Sequence, residues 1–560
     1  MSTAAAPDSD LYARRVLARM SDFFTDEGTP WPRRLWDIGS VLALEELWQA
    51  GHWQAHNVLS PSACDWQRNE LKALIGPDMG LGDRELRKEI NLLLQNSLVD
   101  PSPERRRLKE IISHVRAGYL DRWATALKAE EDKRVKPERF SRTAAAHLLD
   151  LGFSASYLKS WAARLNHSQI TTVEIAESAA ELARSPARQH EVLVALEKVP
   201  RRELAEPLDH WRSKGEVIAW LKENGHDSAG IRTGGGFLYR IDALDPYSAA
   251  EQARQLLDRM VARSQYLRAH RGGVVPVPLI WVAGHRRPVP LAPPARGADV
   301  LSLVHEGHLY KVDSRRGRID DALELAAAVN RGALAPAVAG GWAAVESLLV
   351  HADDPTPTGE RSGKAIAADR MAAIIACSWP RAELTTLSHR HAPSQPDDLS
   401  RAVEASTTNR EAARLVVKAL AAAGVEALAL TKATGYSDQA AAQRMVALLA
   451  APRAQLNDVT KAFRIAMRRL YRTRNIILHG GATNGVALEA SLRTAAPLLG
   501  AGLDRIVHAS YTETLDPLDL AARAEVALKL VHGETGLTTV DLLEPHADQR
   551  AASSRNQQRD

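Results

Sequence analysis

Chemistry is legible at one place in this chain, the stretch from Tyr471 to Gly481, which reads Tyr-Arg-Thr-Arg-Asn-Ile-Ile-Leu-His-Gly-Gly. Within about one and a half helical turns it sets a guanidinium (Arg474), a carboxamide (Asn475) and an imidazole (His479). Gly480 and Gly481 then end the helix. Asn475 and His479 are four apart and share a helix face. Arg474 precedes His479 by five, roughly 140° round an ideal helix. It reaches the imidazole either by its own length or because the helix loosens ahead of the glycines. Either way, a permanent cation stands beside a group that exchanges protons near neutral pH. That pair suits a phosphodiester: the arginine holds non-bridging oxygens and the histidine moves protons.

The surrounding pattern predicts the element that carries these groups. From Ala462 to Leu478, apolar Phe463, Ile465, Ala466, Leu470, Ile477 and Leu478 alternate with charge in the manner of a helix. The cations are Lys461, Arg464, Arg468, Arg469, Arg472 and Arg474, and no acid falls between the first and the last. A solvated helix face mixes both signs, so this run predicts a positive field suited to phosphates. Arg468 and Arg472, one turn apart, together with Lys461 and Arg464, are the expected phosphate contacts. Other sites are not apparent. His389-Arg390-His391 lacks the accompanying ligand spacing of a metal site, and Asp353-Asp354 and Asp397-Asp398 fall in proline-containing loops. No Gly-x-Ser-x-Gly elbow or kinase signature occurs. The expectation is chemistry without metal or cofactor.

The segment Leu470 to Gly481 resembles the signature of HEPN domains, specifically the Apea-like branch. Two upstream stretches extend the likeness. Gly341 to Val350, with Glu346-Ser347-Leu348-Leu349, resembles the family's first core helix, and Ala368 to Ala376, within Glu360 to Cys377, resembles the next. The resemblance covers roughly Asp320 to Val531. It implies an all-α bundle and, as in many members, a metal-independent endoribonuclease of defence or toxin systems. It also implies a homodimer that brings two motifs together.

On that basis the expected reaction is RNA cleavage by internal transesterification. A general base takes the 2′-OH proton, that oxygen attacks the adjacent phosphorus, and the 5′-oxygen leaves with a proton from a general acid. The products are a 2′,3′-cyclic phosphate and a 5′-OH. His479 is the acid or base, Arg474 stabilises the developing phosphorane, and Asn475 orients the imidazole or the phosphate. Glu346 either crosses the bundle to hold Arg474 or lies on an exposed edge of its helix. A free cytoplasmic ribonuclease is toxic, so the N-terminal region is expected to restrain it until a phage or cellular trigger arrives. Two other classes stay open: a non-catalytic nucleotide-binding or assembly module, and a DNA-binding regulator that uses Ser154 to Asn166.

At 560 residues the chain is too long for one core, and roughly two to four domains are expected. A net charge of +4 means that any nucleic-acid surface must come from local clustering. Cys64 and Cys377, the two cysteines, are far apart, which excludes a disulfide framework. The start is polar and charged, and no run approaches the ~20 apolar residues of a membrane span, so a cytoplasmic, non-membrane protein is expected.

The fold class is mainly α. An N-terminal helical domain is expected over 1–135, a helical hairpin region over 136–187 and a small α/β domain over 188–318. A HEPN-like bundle follows over 319–540, then a disordered tail over 541–560. Trp31, Trp36, Trp48 and Trp53 are expected in the core of the first domain, and Ala129 to Arg139 reads as a charged linker. His147 to Ala162 reads as helix, glycine turn, Ser154 cap and helix: a hairpin, or a DNA reader presenting Lys159, Arg164 and Asn166. In the α/β region, Val192–Leu196, Gly236–Asp242 and Val277–Val282 read as strands, and Gly215–Glu223 and Pro246–Ala269 as helices. Asp299–Val304 with His308–Val312 reads as a hairpin. Gly234-Gly235-Gly236 lacks the ending of a phosphate loop and precedes a strand, so it reads as a flexible turn.

Overall fold

Val192 to Leu196 is apolar at every position, the pattern of a strand covered on both faces. In the computed structural model it is the middle of β1 (Arg188–Lys198), the central strand of a five-stranded antiparallel sheet. The others are β2 (Trp211–Ser213), β3 (Gly235–Ala243), β4 (Val275–Val282) and β5 (Val289–Pro290), in the order β2-β3-β1-β4-β5. Val192, Val194 and Leu196 share a core with Ala249, Ala253 and Leu257 of helix Pro246–Ser264. Leu193 and Ala195, on the opposite face, pack with Val217 and Leu221 of helix Lys214–Glu223. The glycine triplet belongs to this packing. Gly235 has φ of 144°, and an added Cβ would lie 2.3 Å from the Trp211 ring.

The structure describes residues 7–25, 30–128, 135–166, 170–266, 273–312, 317–354, 363–430, 435–531 and 538–544. They are mainly helical, and no helix among them is long and apolar enough to cross a membrane. The chain forms two compact units. One takes Met1–Asp26, Met79–Asp83 and His114–Ala295; the other takes Glu27–Asp78, Arg84–Ser113 and Arg296–Asp560.

The first unit joins the sheet to helices Pro7–Phe23, Tyr119–Leu127, Pro137–Asp150, Ala155–Leu165 and Thr172–Arg184. Pro137 to Arg139, expected in a linker, already form the first turn of a helix. Ser154 caps its helix as the sequence predicts, accepting from the Tyr157 N–H. Its hydroxyl also donates to Asp245 Oδ1 at 2.8 Å, and Asp245 caps helix Pro246–Ser264. The hairpin is thereby tied to the α/β layer. His147 is buried against Tyr119, with ring centroids 4.4 Å apart, and burial, helped by Arg116 and Arg122, pushes its pKa down to about 3.

The second unit is a helical bundle around one core. Its principal helices are Arg318–Arg331, Leu334–Leu349, Ile366–Arg390, Asn409–Ala423, Gly435–Ala450, Pro452–Gly480, Leu488–Glu513 and Pro517–Leu530. Small residues let these axes approach: a Cβ at Gly502 would lie 2.1 Å from Met371 Sδ.

Three expected boundaries move. The N-terminal helical domain over 1–135 is not one body, because residues 27–78 and 84–113 belong to the bundle unit. Trp31 and Trp36 flank Phe463, at 6.0 and 5.1 Å between ring centroids. Arg33, 3% exposed, donates to Glu383 at 3.0 Å and to Asp438 at 2.6 Å. The α/β domain ends at Ala295 instead of 318. The hairpin expected at 299–312 is absent; Ser302–His305 is a short helix. Asp504 accepts the Ser302 N–H at 2.7 Å and His308 stacks on Tyr511, so tertiary partners outweigh the apolar alternation. The tail expected over 541–560 does not start at 541, since Leu542 and Leu543 lie in the core and Glu544 pairs with Arg381 and Arg410. Ala547 to Asp560 lies outside the described residues.

Candidate active site

Pro452–Gly480 is one unbroken helix of 29 residues. Proline opens it, where a missing N–H costs nothing. Gly481 closes it at φ 65°, a left-handed position that favours glycine, with its N–H bonded to the Ile476 carbonyl. The helix runs unbroken to Gly480, its last turn closed by that five-residue span. Arg474 crosses to His479 by its own length: Nη1 lies 3.3 Å from His479 Nε2 and donates to Asn475 Oδ1 at 3.0 Å. A guanidinium has only donors, so this contact is a hydrogen bond in the tautomer whose Nε2 is bare. Asn475 is buried, Arg474 is 18% exposed and His479 faces solvent.

Of the two alternatives for Glu346, the crossing is the one found. Its Oε2 lies 3.8 Å from Arg474 Nη2 and accepts from Trp342 Nε1 at 3.1 Å, while Oε1 meets Lys364 Nζ. Trp342 is one turn before Glu346 on the same helix and fully buried. Its ring packs 4.8 Å from that of Tyr471, three residues before Arg474. The carboxylate is thus fixed from beneath by an indole that both helices enclose. At the other end of the motif, Gly480 allows Trp53 to approach, since a Cβ there would lie 2.9 Å from the indole.

The remaining cations of the helix do not form the expected row of phosphate contacts. Arg472 is 1% exposed and lies inside the unit. It donates to Glu46 Oε1 at 3.1 Å and to Glu70 Oε2 at 3.5 Å, and Arg469 donates to Glu46 Oε2 at 3.1 Å. Burial alone would push the Glu46 carboxyl up, but Arg472 and Arg469 together outweigh it and hold its pKa below the usual value. At Glu70 burial wins over the same arginines, and its pKa is raised. Arg468 grips Asp369 with two bonds of 3.1 and 3.0 Å and lies over the Trp66 ring. Arg464 Nε is 3.3 Å from the same carboxylate. Lys461 is exposed. The helix itself holds no acid along this run, but Glu46, Glu70, Asp369 and Glu346 supply the opposite sign from other elements.

His391, Asp354 and Cys64 sit in structural surroundings. His391 accepts the Ala429 N–H at Nδ1 and bonds Asp397 through Nε2 at 3.1 Å, so both ring nitrogens are occupied. Asp354 is clamped by Arg370, which lowers its pKa. Cys64 is buried and its thiol pushed up to about 11. Sequence reasoning missed Trp342, Lys364 and Glu46. Trp342 was detectable as the residue one turn before Glu346, and Glu46 as an acid inside the apolar run Val41 to Trp48. Lys364 carries no local signal. Compared with family models, curated proteins and solved structures, the chain matches none.

Proposed function

We propose that the chain is a metal-independent endoribonuclease of the HEPN type, acting as a homodimer. The observation that carries this reading is the contact of Arg474 Nη1 with both Asn475 Oδ1 and His479 Nε2. In the free protein the guanidinium covers the imidazole lone pair. When a phosphodiester engages Arg474, the guanidinium turns toward the non-bridging oxygens, and the uncovered Nε2 takes the 2′-OH proton. Glu346 retains the other nitrogen of the guanidinium, so Arg474 turns about a fixed point. Held there, it neutralises charge on the phosphorane, a role worth roughly 3–4 kcal/mol. One chain supplies one such histidine, and the proton for the leaving 5′-oxygen falls to the motif of a second copy. A defence or toxin setting, with the activity restrained until triggered, follows from the family resemblance.

Purified protein incubated with total cellular RNA and EDTA should release fragments ending in 2′,3′-cyclic phosphate and 5′-hydroxyl. Cleavage that stops in chelator would overturn the mechanism. RNA binding without cleavage would favour a non-catalytic module, and preference for duplex DNA a DNA-binding regulator.

A further inference from the structure

We infer that Lys364 is a second phosphate-holding cation of this site; the inference rests on the ribonuclease reading and adds to it a residue outside the Arg-Asn-His motif. Lys364 belongs to the turn Gly363–Ala365, which leads into helix Ile366–Arg390, whereas Arg474 comes from Pro452–Gly480. The two cations meet on Glu346, one at each carboxylate oxygen. The non-bridging oxygens of a phosphodiester are arranged much as the oxygens of a carboxylate, and cationic donors pair with either. A phosphate drawing up to Arg474 therefore comes within reach of Lys364 as well. Two cations against one carboxylate leave one positive charge, which a phosphodiester neutralises.

Exposure favours transfer. The Lys364 side chain is 52% exposed and Glu346 19%, so the ammonium stands at the solvent edge and the carboxylate behind it. An ammonium on a flexible stem exchanges partners readily. Arg468 differs in each respect: it is 15% exposed, doubly bonded to Asp369 and stacked on Trp66. Glu346 keeps its Trp342 bond when Lys364 turns away and Arg474 pivots on it, so it remains ordered while they engage RNA.

The test uses the full chain. With His479→Ala to block turnover, binding of a single-stranded RNA oligonucleotide is measured against KCl concentration, with and without Lys364→Gln. The lysine change should lower the slope of log affinity against log salt by roughly 0.7, the share of one phosphate contact on a single strand. Lys364→Arg should restore it. In the otherwise unaltered protein, Lys364→Gln should raise KM with the same RNA ends produced and no change in Tm. A Lys364→Gln protein with the parental slope and KM, in a background that cleaves RNA, overturns this inference alone. A parent protein that neither binds nor cleaves RNA overturns the ribonuclease reading and this inference with it.

Discussion

Arg472 and Arg474 stand two residues apart on one helix and have opposite surroundings. Arg472 is enclosed, with Glu46 and Glu70 taking its two terminal nitrogens. Arg474 is at the surface, touching Asn475, His479 and the near edge of Glu346. Two residues turn a helix by roughly 200°, so neighbours in sequence meet different partners. Arg472 and Arg469, three apart, face helix Ser40–Ala55; Arg464 and Arg468, four apart, share Asp369. An uninterrupted run of cations is therefore not a positive surface. The acids that decide its character lie 95 to 426 residues away.

The sharpest break of this comparison removes the distant partners together. A fragment of residues 320–560 lacks Arg33, Glu46 and Glu70 and leaves Arg469, Arg472, Glu383 and Asp438 without them. Losing one partner of a buried pair costs about 3–5 kcal/mol, and two clusters lost at once approach the whole stability of a domain, about 5–15 kcal/mol. The fragment should show no cooperative melt, whereas residues 27–113 joined by a flexible linker to 296–560 should melt cooperatively. A well-folded 320–560 fragment would mean that the N-terminal helices only decorate the bundle.

Separating the two arginines comes next. Arg472→Ala should lower stability by about 3–5 kcal/mol in urea unfolding. Arg474→Ala should leave the unfolding midpoint in place and slow RNA cleavage by roughly 10²–10³-fold. Equal losses of stability in both would erase the distinction.

The first unit supplies a buried charge question of another kind. His147 has its pKa pushed from 6.5 to about 3 by burial, so it stays neutral when folded and takes up a proton on unfolding below the ordinary value. Its contribution to stability is complete above about pH 6.5 and is lost as pH falls toward 3, on the order of a few kcal/mol at the acid end. Unfolding followed by urea at pH 7 and pH 4.5 should show His147→Phe losing less stability on acidification than the parent. An unchanged difference would mean that His147 is not titrating.

The smallest effects belong to the edge of the motif helix. Arg468→Ala should cost no more than about 1 kcal/mol, because its pair with Asp369 is partly wet. Lys461→Ala and Arg464→Ala should each flatten the salt dependence of RNA binding slightly. A change at Arg472 that keeps the fold, such as Arg472→Lys, should leave that slope alone.

By itself the sequence determined what lies within one element. The helical character of 462–478, the glycine stop, and the sharing of a face by Asn475 and His479 all follow from a period of 3.6 residues. The double-sided burial of Val192–Leu196 and the cap at Ser154 are local in the same way. Tertiary structure alone decided that Glu346 meets Arg474, that Lys364 joins it, and that Arg472 is interior. It also decided that residues 27–78 and 84–113 belong to the bundle. A side chain's spacing along a helix fixes which way it points, but not what stands there. That depends on which faces of separate elements bury each other, and a buried charge finds its partner across whatever length of chain the packing folds out of the way.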